Sequence, residues 1–387
     1  QTHDRRRRHL GFCRAREFAG LGGFIATVKI LHIEAGRYLY GGAQQVVWLT
    51  RGLALRGVQN VLVCPNGSEI AGAAADTVRV RMVTMKGDLD LRLVSRLTKV
   101  IREEKPDLIH IHSRRGADVF GGIAASWAGV PCVLSRRVDN REPRWSVPLK
   151  YRLYDKVIVI SEAIGHVLRS CGVPAEKVIP VRSAVDAAFY DCPADKGWFQ
   201  GEFKLPSDEV TLGVIAQLIP RKGHRYLLDV LPDLLTRFPR LNVLIFGQGP
   251  LSEALEARVA SAEFGGRVQM AGFRDDLRRV LPNLYAIVHP AEREGLGVSL
   301  LQASASSVPV IAARAGGIPE IVRDGNNGLT FEVGDRVALK VHLEHILLDS
   351  RLREQLGEGG RLLAGSEFSI EAMVDGNYQA YQELLRR

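Results

Sequence analysis

The chain contains 387 residues, of which 46% are hydrophobic and 25% are charged, and its formal net charge is +9. This length suffices for two domains, and no apolar run is long enough to cross a membrane. The five cysteines are widely spaced and form no Cys-x-x-Cys pair, which argues against a zinc site or a disulfide framework and favours a reducing cytoplasm. The excess of positive charge favours an anionic partner: a phosphorylated ligand, a membrane surface or a nucleic acid.

Residues 1–27 are basic and lack the periodicity of the rest of the chain. A secretory signal is disfavoured, because the segment has no apolar central region. Two interpretations remain, a basic arm that touches acidic lipid and a disordered extension that precedes the first strand. We favour the disordered extension.

From residue 28 onwards, short apolar runs alternate with helical segments, which is the pattern of a parallel α/β sheet. A strand is predicted over 28–33, and a loop that ends in Gly41-Gly42 leads into a helix over 43–56. A glycine pair there lets the backbone approach a ligand, although tight strand-to-helix turns also use glycine routinely. Further elements of the first half are predicted at 60–64, 78–83, 89–104, 107–113, 154–161 and 178–183.

Two histidines lie near the end of the strand predicted over 107–113. Strand alternation places His110 and His112 on one face, with His112 nearer the carboxyl edge, where open α/β sheets bind ligands. They are either structural histidines or part of a site at that edge. A metal site is not favoured, because no carboxylate or cysteine cluster accompanies them.

Two arginine pairs, Arg114-Arg115 and Arg136-Arg137, each follow the end of a predicted strand. Since the carboxyl ends of parallel strands share one edge, the two pairs are expected to converge on one rim of the first domain's cleft. Arginine pairs are often simply solvated. Their shared placement favours instead an anionic acceptor, such as a phosphorylated lipid or a core sugar.

Residues 187–209 carry proline, glycine and charged residues, and we predict that they link a first domain over 28–186 to a second over 210–366. Near the start of the second domain, Arg221 and Lys222 stand in a turn before a predicted helix. Such a turn fits a phosphate-gripping loop, the alternative being a surface lysine.

A second glycine turn, Gly247-Gln248-Gly249, follows the strand predicted over 241–246. It is not a dinucleotide fingerprint, because that pattern needs a third glycine where Ser252 stands. A further strand over 268–272 leads into a turn at Phe273.

The stretch 286–324 combines features of an anion site with those of a hydroxyl-binding site. A buried strand, a glycine-punctuated acidic loop and a helix over 298–306 place free backbone N–H groups and the positive end of a helix dipole at the loop. Glu294 in that loop cannot help bind phosphate, and we expect it to accept hydrogen bonds from hydroxyls. Phosphate and hydroxyls together indicate a sugar nucleotide.

The same stretch resembles the donor-site signature of the retaining glycosyltransferases of family 4, which have the GT-B fold. That signature is Glu-x7-Glu followed by Gly-Gly-x-Pro-Glu, and Glu294 stands at the first acidic position. The second element matches at Gly316, Gly317, Pro319 and Glu320. The second acidic position holds Gln302, which loses a charge-assisted hydrogen bond to the ribose, so weaker nucleotide binding is expected.

The resemblance covers roughly residue 28 to the C-terminus. It implies an α/β protein of GT-B fold, with an acceptor-binding and a nucleotide-sugar-binding Rossmann-like domain, both built on parallel sheets, that face a cleft. A C-terminal helix over 367–387 would cross back to the first domain.

The resemblance also implies roles for single residues. His112 would hydrogen-bond hydroxyls of the donor sugar, Lys222 would neutralise the diphosphate, and Glu294 would hold further sugar hydroxyls, while Glu320 would support the loop. Arg221 would compensate for Gln217, which occupies the family's arginine position. Other donor-site positions are Gly41, Gly42, Gly247, Gly249, Phe273, Leu296, Gly297 and Gln302.

The family's usual reaction is a same-face attack in which the leaving phosphate takes the acceptor proton. Because no Asp-x-Asp is placed to hold a metal, the reaction is expected to need neither a metal nor a cofactor besides the donor. We expect a UDP-sugar donor and an anionic glycan or lipid-linked acceptor of the bacterial cell envelope. The expected location is the cytoplasm, with a peripheral contact at the inner face of the plasma membrane.

Two alternative functions are each compatible with part of the sequence. A sugar-nucleotide epimerase shares the fold, but the first domain offers no convincing set of acid/base carboxylates. A basic nucleic-acid-binding protein would explain the charge. Aromatic residues, however, make up only 7% of the chain and do not interleave with the basic clusters, so nucleic acid is not an expected partner.

Overall fold

The computed structural model describes residues 28–114 and 116–386, and its strands form two parallel sheets. The extension predicted over 1–27 lies outside the described residues. The strands of the first sheet are β1 (Lys29–Ile33), β2 (Gln59–Cys64), β3 (Arg79–Met82), β4 (Leu108–Ile111), β5 (Cys132–Arg136), β6 (Lys156–Val159) and β7 (Val178–Pro180). The strands of the second sheet are β8 (Val210–Ile215), β9 (Leu241–Phe246), β10 (Val268–Gly272), β11 (Ala286–His289), β12 (Val310–Ala313) and β13 (Gly328–Phe331).

The helices fill the connections between the strands. In the first half they are α1 (Gly41–Leu55), α2 (Glu69–Ala74), α3 (Arg92–Glu104), α4 (Ala117–Ala128), α5 (Val147–Tyr151) and α6 (Glu162–Ser170). In the second half they are α7 (Ala187–Tyr190), α8 (Lys196–Phe203), α9 (His224–Arg237), α10 (Ser252–Val259), α11 (Leu277–Val280), α12 (Val298–Ala305), α13 (Ile318–Ile321), α14 (Arg336–Leu348), α15 (Ser350–Gly365) and α16 (Ile370–Leu385). None of these helices is long and apolar enough to span a bilayer.

Each sheet is doubly wound. The strand order is β3-β2-β1-β4-β5-β6-β7 in the first sheet and β10-β9-β8-β11-β12-β13 in the second. The central strands are buried throughout and mostly apolar, as a parallel sheet with helices on both faces requires. These two sheets confirm the predicted α/β architecture of two Rossmann-like domains, and they place the carboxyl ends of β1 and β4 side by side.

The last helix of the chain belongs to the first domain. Helix α16 packs along α1, and its Val374 and Tyr381 are buried with Ile30 of β1 and Leu49 of α1 in one apolar cluster. The preceding helix α15 packs against α12 of the second domain. The crossing back of the C-terminal helix is therefore confirmed, and it begins at Ile370 instead of residue 367.

The packing of α16 on α1 predicts opposite effects for two glycine-to-alanine changes. A Cβ on Gly52 of α1 would lie 2.5 Å from Cγ2 of the buried Val374, so we expect Gly52→Ala to lower the free energy of unfolding by roughly 1–3 kcal/mol. The matched control is Gly72 of α2, where a Cβ meets no atom within 4 Å. There, Gly72→Ala should raise stability by about 0.5–1 kcal/mol through helix propensity. The urea midpoints of the two variants measure these changes in stability. If Gly52→Ala is stabilised as much as Gly72→Ala, the packing of α16 on α1 is contradicted.

The predicted linker over 187–209 contains the short helices α7 and α8. Phe203 of α8 packs edge-on against Phe246 of β9, with 5.7 Å between ring centroids. The end of the linker is therefore attached to the second domain. The unstructured part of the connection is shorter than the sequence suggests.

Contacts between the domains are polar as well as apolar. Ser161 caps α6 by accepting from the N–H of Ile164 at 3.2 Å, and its hydroxyl donates to the carbonyl of Gly295 at 2.8 Å. Glu320 accepts from the N–H of Ala163 at 3.1 Å. Glu320 thus contacts the first domain, in addition to standing in its own Gly-Gly-x-Pro-Glu element.

Candidate functional site

A cavity of about 450 Å³ opens between the carboxyl edges of the two sheets. Tyr40 and Gly41 line it from the first domain, and the second domain supplies the rest. The predicted site residues that line it are Gly41, Lys222, Gly247, Phe273, Glu294, Gly297 and Gln302. The structure thus brings most of the predicted donor-site positions to one place.

Glu294 is the most connected side chain of the cavity. Its Oε2 accepts from Nζ of Lys222 in a short ion pair and from Nε2 of His289 at 3.0 Å. Its Oε1 accepts from the N–H of Gly295 at 3.1 Å. Burial alone would raise the pKa of Glu294, but His289 and Lys222 together outweigh burial and lower it to about 2. The carboxylate is therefore charged at ordinary pH, a state in which it can only accept hydrogen bonds.

The N-terminus of α12 provides an uncapped set of backbone donors beside Lys222. Gly297 precedes the helix with φ +98°, a left-handed conformation that favours glycine, and no side chain caps the helix. Val298 and Ser299 of its first turn line the cavity. A lysine and an open helix N-terminus in one cavity are suited to an anionic group.

The glycine pair of the second signature element fits against the Glu294 loop. A Cβ on Gly316 would lie 1.9 Å from the carbonyl oxygen of Glu294, and one on Gly317 would lie 2.3 Å from that of Gly295. The N–H of Gly317 donates to the carbonyl of Glu294 at 3.1 Å. Both glycines are needed because the two loops touch backbone to backbone.

Several predicted donor-site residues do not line the cavity. Arg221 directs its guanidinium to Asp139 of the first domain, at 3.6 Å, and Asp139 also lies 3.6 Å from Arg293. Gly249 packs on the backbone of Leu218, since a Cβ would lie 2.5 Å from its carbonyl oxygen. Leu296 is buried in the core, and Gly42 is the second residue of α1.

His112 belongs to a buried cluster of three histidines, completed by His32 of β1 and His110 of β4, and does not line the cavity. Ligand atoms of the three rings lie within 4.8 Å of one another, a spacing that could suit a metal. His110 and His32, however, each use both ring nitrogens in hydrogen bonds, and His112 uses Nε2. The cluster is therefore a hydrogen-bond network, in which only Nδ1 of His112 has no partner among the described residues.

The arginines predicted to bind an acceptor have different environments. Arg136 is 2% exposed and is held by Glu142, at 3.1 Å, and by the carbonyl of Asn140, at 2.7 Å. Arg114 also reaches Asn140, at 3.3 Å, so the two strand ends do converge. Arg136 itself is a structural ion-pair partner and is not presented to the rim. Arg115 lies outside the described residues.

Arg137 lies beside Gly42, the neighbour of the cavity-lining Gly41. Its Cδ would lie 3.7 Å from a Cβ on Gly42, and its buried Nε has no hydrogen-bond partner in the described part of the chain. Burial lowers the pKa of the Arg137 guanidinium, and the carboxylate of Glu34 opposes that shift. A buried guanidinium with an unsatisfied N–H is suited to an anionic group.

Sequence reasoning missed three contributors to the site. His289, which ends β11, and His32 each stand alone in an apolar strand, and nothing in the sequence shows which side chain they meet. Asp139 sits in a loop next to the predicted arginines and bridges to the second domain. Only the tertiary structure reveals these pairings.

Comparisons with known proteins cover both halves of the chain. Residues 198–363 match the protein family described as Glycosyl transferases group 1, and residues 40–189 match Glycosyltransferase Family 4. The chain is 30% identical to the sulfoquinovosyl transferase SQD2 of Arabidopsis thaliana over 71% of its own length and 56% of that relative. It is 27% identical to the lipopolysaccharide core biosynthesis glycosyltransferase LpsE of Rhizobium meliloti (strain 1021), over 92% of the chain and 99% of LpsE.

Among solved structures, HepE of Anabaena in complex with UDP superimposes with a TM-score of 0.80 at 19% identity. That alignment covers 92% of this chain and 100% of HepE, which has also been solved in complex with UDP-glucose. The similarity therefore concerns the fold of both domains.

Proposed function

Because the chain is a glycosyltransferase of the GT-B type, we propose that it moves a sugar from a UDP-sugar to a glycan or lipid-linked acceptor of the bacterial cell envelope, with retention of anomeric configuration. The observation that carries the proposal is the cavity in which Lys222, Glu294 and the N-terminus of α12 meet. A cation and a helix N-terminus suit a diphosphate, and a charged carboxylate suits sugar hydroxyls.

In the proposed reaction, the bond between C1 of the sugar and the diphosphate oxygen breaks while the acceptor oxygen bonds to C1 on the same face. The acceptor's proton passes to the departing phosphate oxygen. Lys222 and the backbone N–H groups at the start of α12 stabilise the charge that develops on the diphosphate, by roughly 3–4 kcal/mol for each well-placed donor. These groups supply the positive charge, so we propose that neither a metal nor a further cofactor is needed.

The choice of UDP is supported by the HepE complexes with UDP and UDP-glucose. Phe273, Gly247 and Gln302 line the cavity and would hold the nucleoside. Gln217, at the family's arginine position, also lines the cavity.

Two cations of the described part of the chain line the cavity, Lys222 and Arg274. Arg274 is paired with Glu202 and Asp276, at 2.6 Å each. We therefore propose Lys222 as the cation for the diphosphate.

An anionic acceptor is supported by the placement of Arg114 and Arg137 on the first domain and by the net charge of +9. We propose that residues 28–186 bind the acceptor, that 210–366 bind the donor, and that 187–209 act as the hinge. The similarity to LpsE supports a lipopolysaccharide-type acceptor. Such an acceptor would bring the protein to the cytoplasmic face of the inner membrane.

Calorimetric titration with UDP, GDP, ADP and CMP tests the proposal directly. We expect UDP to bind selectively, and we expect Gln302→Glu to bind it about fivefold more tightly, because a carboxylate makes a charge-assisted hydrogen bond to the ribose worth roughly 1 kcal/mol more than that of an amide. Lys340→Ala, at a surface ion pair with Asp233, serves as the control. If none of the four nucleotides binds, the proposal is contradicted. Retention is then checked by NMR of the product's anomeric proton, in the presence and absence of a chelator.

A further inference from the structure

Two rings of the histidine cluster, those of His32 and His112, belong to a chain of hydrogen bonds that starts at Asn60. The amide nitrogen of Asn60 donates to the carbonyls of Thr50, at 3.1 Å, and Val58, at 3.2 Å. Carbonyls only accept, so these two bonds fix the orientation of the Asn60 amide. Its Oδ1 consequently faces Nε2 of His32 at 3.1 Å.

The orientation of Asn60 determines where the hydrogen of His32 lies. Oδ1 can only accept, so Nε2 of His32 carries the hydrogen. Burial lowers the pKa of His32 to about 4, against a smaller opposing effect of the Asn60 bond, so the ring is neutral at ordinary pH. Its Nδ1 therefore holds a lone pair.

The same reasoning passes to the next ring. Nδ1 of His32 lies 2.9 Å from Nε2 of His112, and since the first atom accepts, the second donates. Burial holds the pKa of His112 well below its usual value, with smaller effects of His110, His32 and Arg137 in the same direction. A neutral His112 that carries its hydrogen on Nε2 has a bare lone pair on Nδ1.

Nδ1 of His112 is buried and has no hydrogen-bond partner among the described residues. Buried polar atoms of folded proteins are nearly always satisfied, so an unpaired one marks a position for a partner from outside the chain, such as a water or a ligand group. A lone pair accepts from O–H or N–H and repels phosphate or carboxylate. The missing partner is therefore a hydroxyl or similar donor group and not an anion.

His112 does not line the cavity of the free protein. We propose that Asn60 and His32 are positioning residues that lock His112 in its Nε2–H tautomer, so that its Nδ1 accepts a hydrogen bond from a hydroxyl of the sugar once the donor is bound. The tautomer part is a property of the free protein, whereas the identity of the hydroxyl rests on the proposed function. His110 is not in this relay, because its nitrogens bond to Tyr381, at 2.5 Å, and Ser135, at 2.8 Å. It packs against His112 from the side, with 3.8 Å between ring centroids.

The tautomer is measured in the free protein by nitrogen-15 NMR of the histidine rings. We expect His112 of the wild type to show an unprotonated Nδ1, and His32→Leu to show a population protonated at Nδ1, because the acceptor opposite Nε2 is gone. His32→Gln restores an acceptor carbonyl and should return the wild-type pattern. Tyr381→Phe removes the bonds of that hydroxyl to His110 and Asn377 but none of the bonds of Asn60, His32 and His112, so it is the matched control. A protonated Nδ1 in the wild type would overturn the proposal without any variant having to fold.

The hydroxyl is identified with donor analogues in which one sugar hydroxyl at a time is replaced by hydrogen or by fluorine. Neither hydrogen nor fluorine can donate a hydrogen bond, so at one sugar position both analogues should lower kcat/KM of the wild type about tenfold. This loss of kcat/KM should be smaller in His32→Leu and should return in His32→Gln. A penalty of equal size in His32→Leu and the wild type would overturn the role of the relay. Failure of the proposed function would look different: no nucleotide would bind in calorimetry, while the tautomer measured by NMR would stay as described.

Discussion

Lys222→Ala is expected to lower kcat/KM for sugar transfer by a factor of roughly 10²–10³, the usual cost of removing one preorganised donor from a developing negative charge. Lys222 is buried at the end of the turn Pro220–Lys222, and its Nζ is held in the cavity by Glu294. A cation held in this way needs no reorganisation when the diphosphate departs. The helix N-terminus of α12 remains in the variant, which is why a residual rate is expected.

Kinetics and calorimetry together check this prediction. UDP should bind more weakly to Lys222→Ala, while Lys340→Ala at the surface should match the wild type. Arg221→Ala provides a sharper comparison, because this neighbouring cation points to Asp139 and not into the cavity. We expect it to lower kcat/KM less than tenfold. If Arg221→Ala loses more activity than Lys222→Ala, the assignment of the diphosphate to Lys222 is wrong.

Gly316→Ala should be nearly as damaging, although its side chain would never touch a ligand. The new Cβ would lie 1.9 Å from the carbonyl oxygen of Glu294, so the backbone that carries Glu294 must move by about 1 Å or more. A displacement of that size at a reacting centre can cost about 10²-fold in rate. The residue also has φ +54°, and we expect the two effects together to lower the free energy of unfolding by roughly 2–4 kcal/mol.

Gly325→Ala separates the clash from the backbone conformation. Gly325 has φ +70°, but a Cβ there meets no atom within 4 Å. Its replacement should therefore cost about 1 kcal/mol and leave transfer within a factor of two. Thermal unfolding and kcat/KM of both variants test the comparison. If the two alanine variants behave alike, the contact between the glycine pair and the Glu294 loop has no functional importance.

The fold could be predicted from the sequence because its signals are local. Apolar runs such as those of β9 and β10 are strands with the predicted bounds, and the glycines around Glu294 mark a turn that any residue with a Cβ would disrupt. The family resemblance placed Lys222 and Glu294 in one site, and the sheet explains why they meet, since each follows a strand that ends at the same edge. The carboxyl edge of such a sheet brings these ends together.

What could not be predicted depends on pairings across strands. His32 meets His112 only because β1 and β4 are neighbours in register, an arrangement that the sequence does not encode locally. Arg136 and Arg137 are adjacent in sequence and alike in chemistry, yet one is buried in an ion pair with Glu142 and the other lies by Gly42. Strand alternation turns consecutive side chains to opposite faces, so the pair could not act as one unit.

The return of α16 to the first domain has a consequence for how the protein moves and how it can be divided. The polypeptide crosses between the domains twice, once before β8 and once between α15 and α16. Two tethers define an axis, so opening of the cleft reduces to a rotation about the line that joins them. The first domain is not formed by one continuous segment, because residues 28–186 alone would expose the apolar face that α16 covers. A circular permutant that begins at α16 would keep the first domain in one continuous segment.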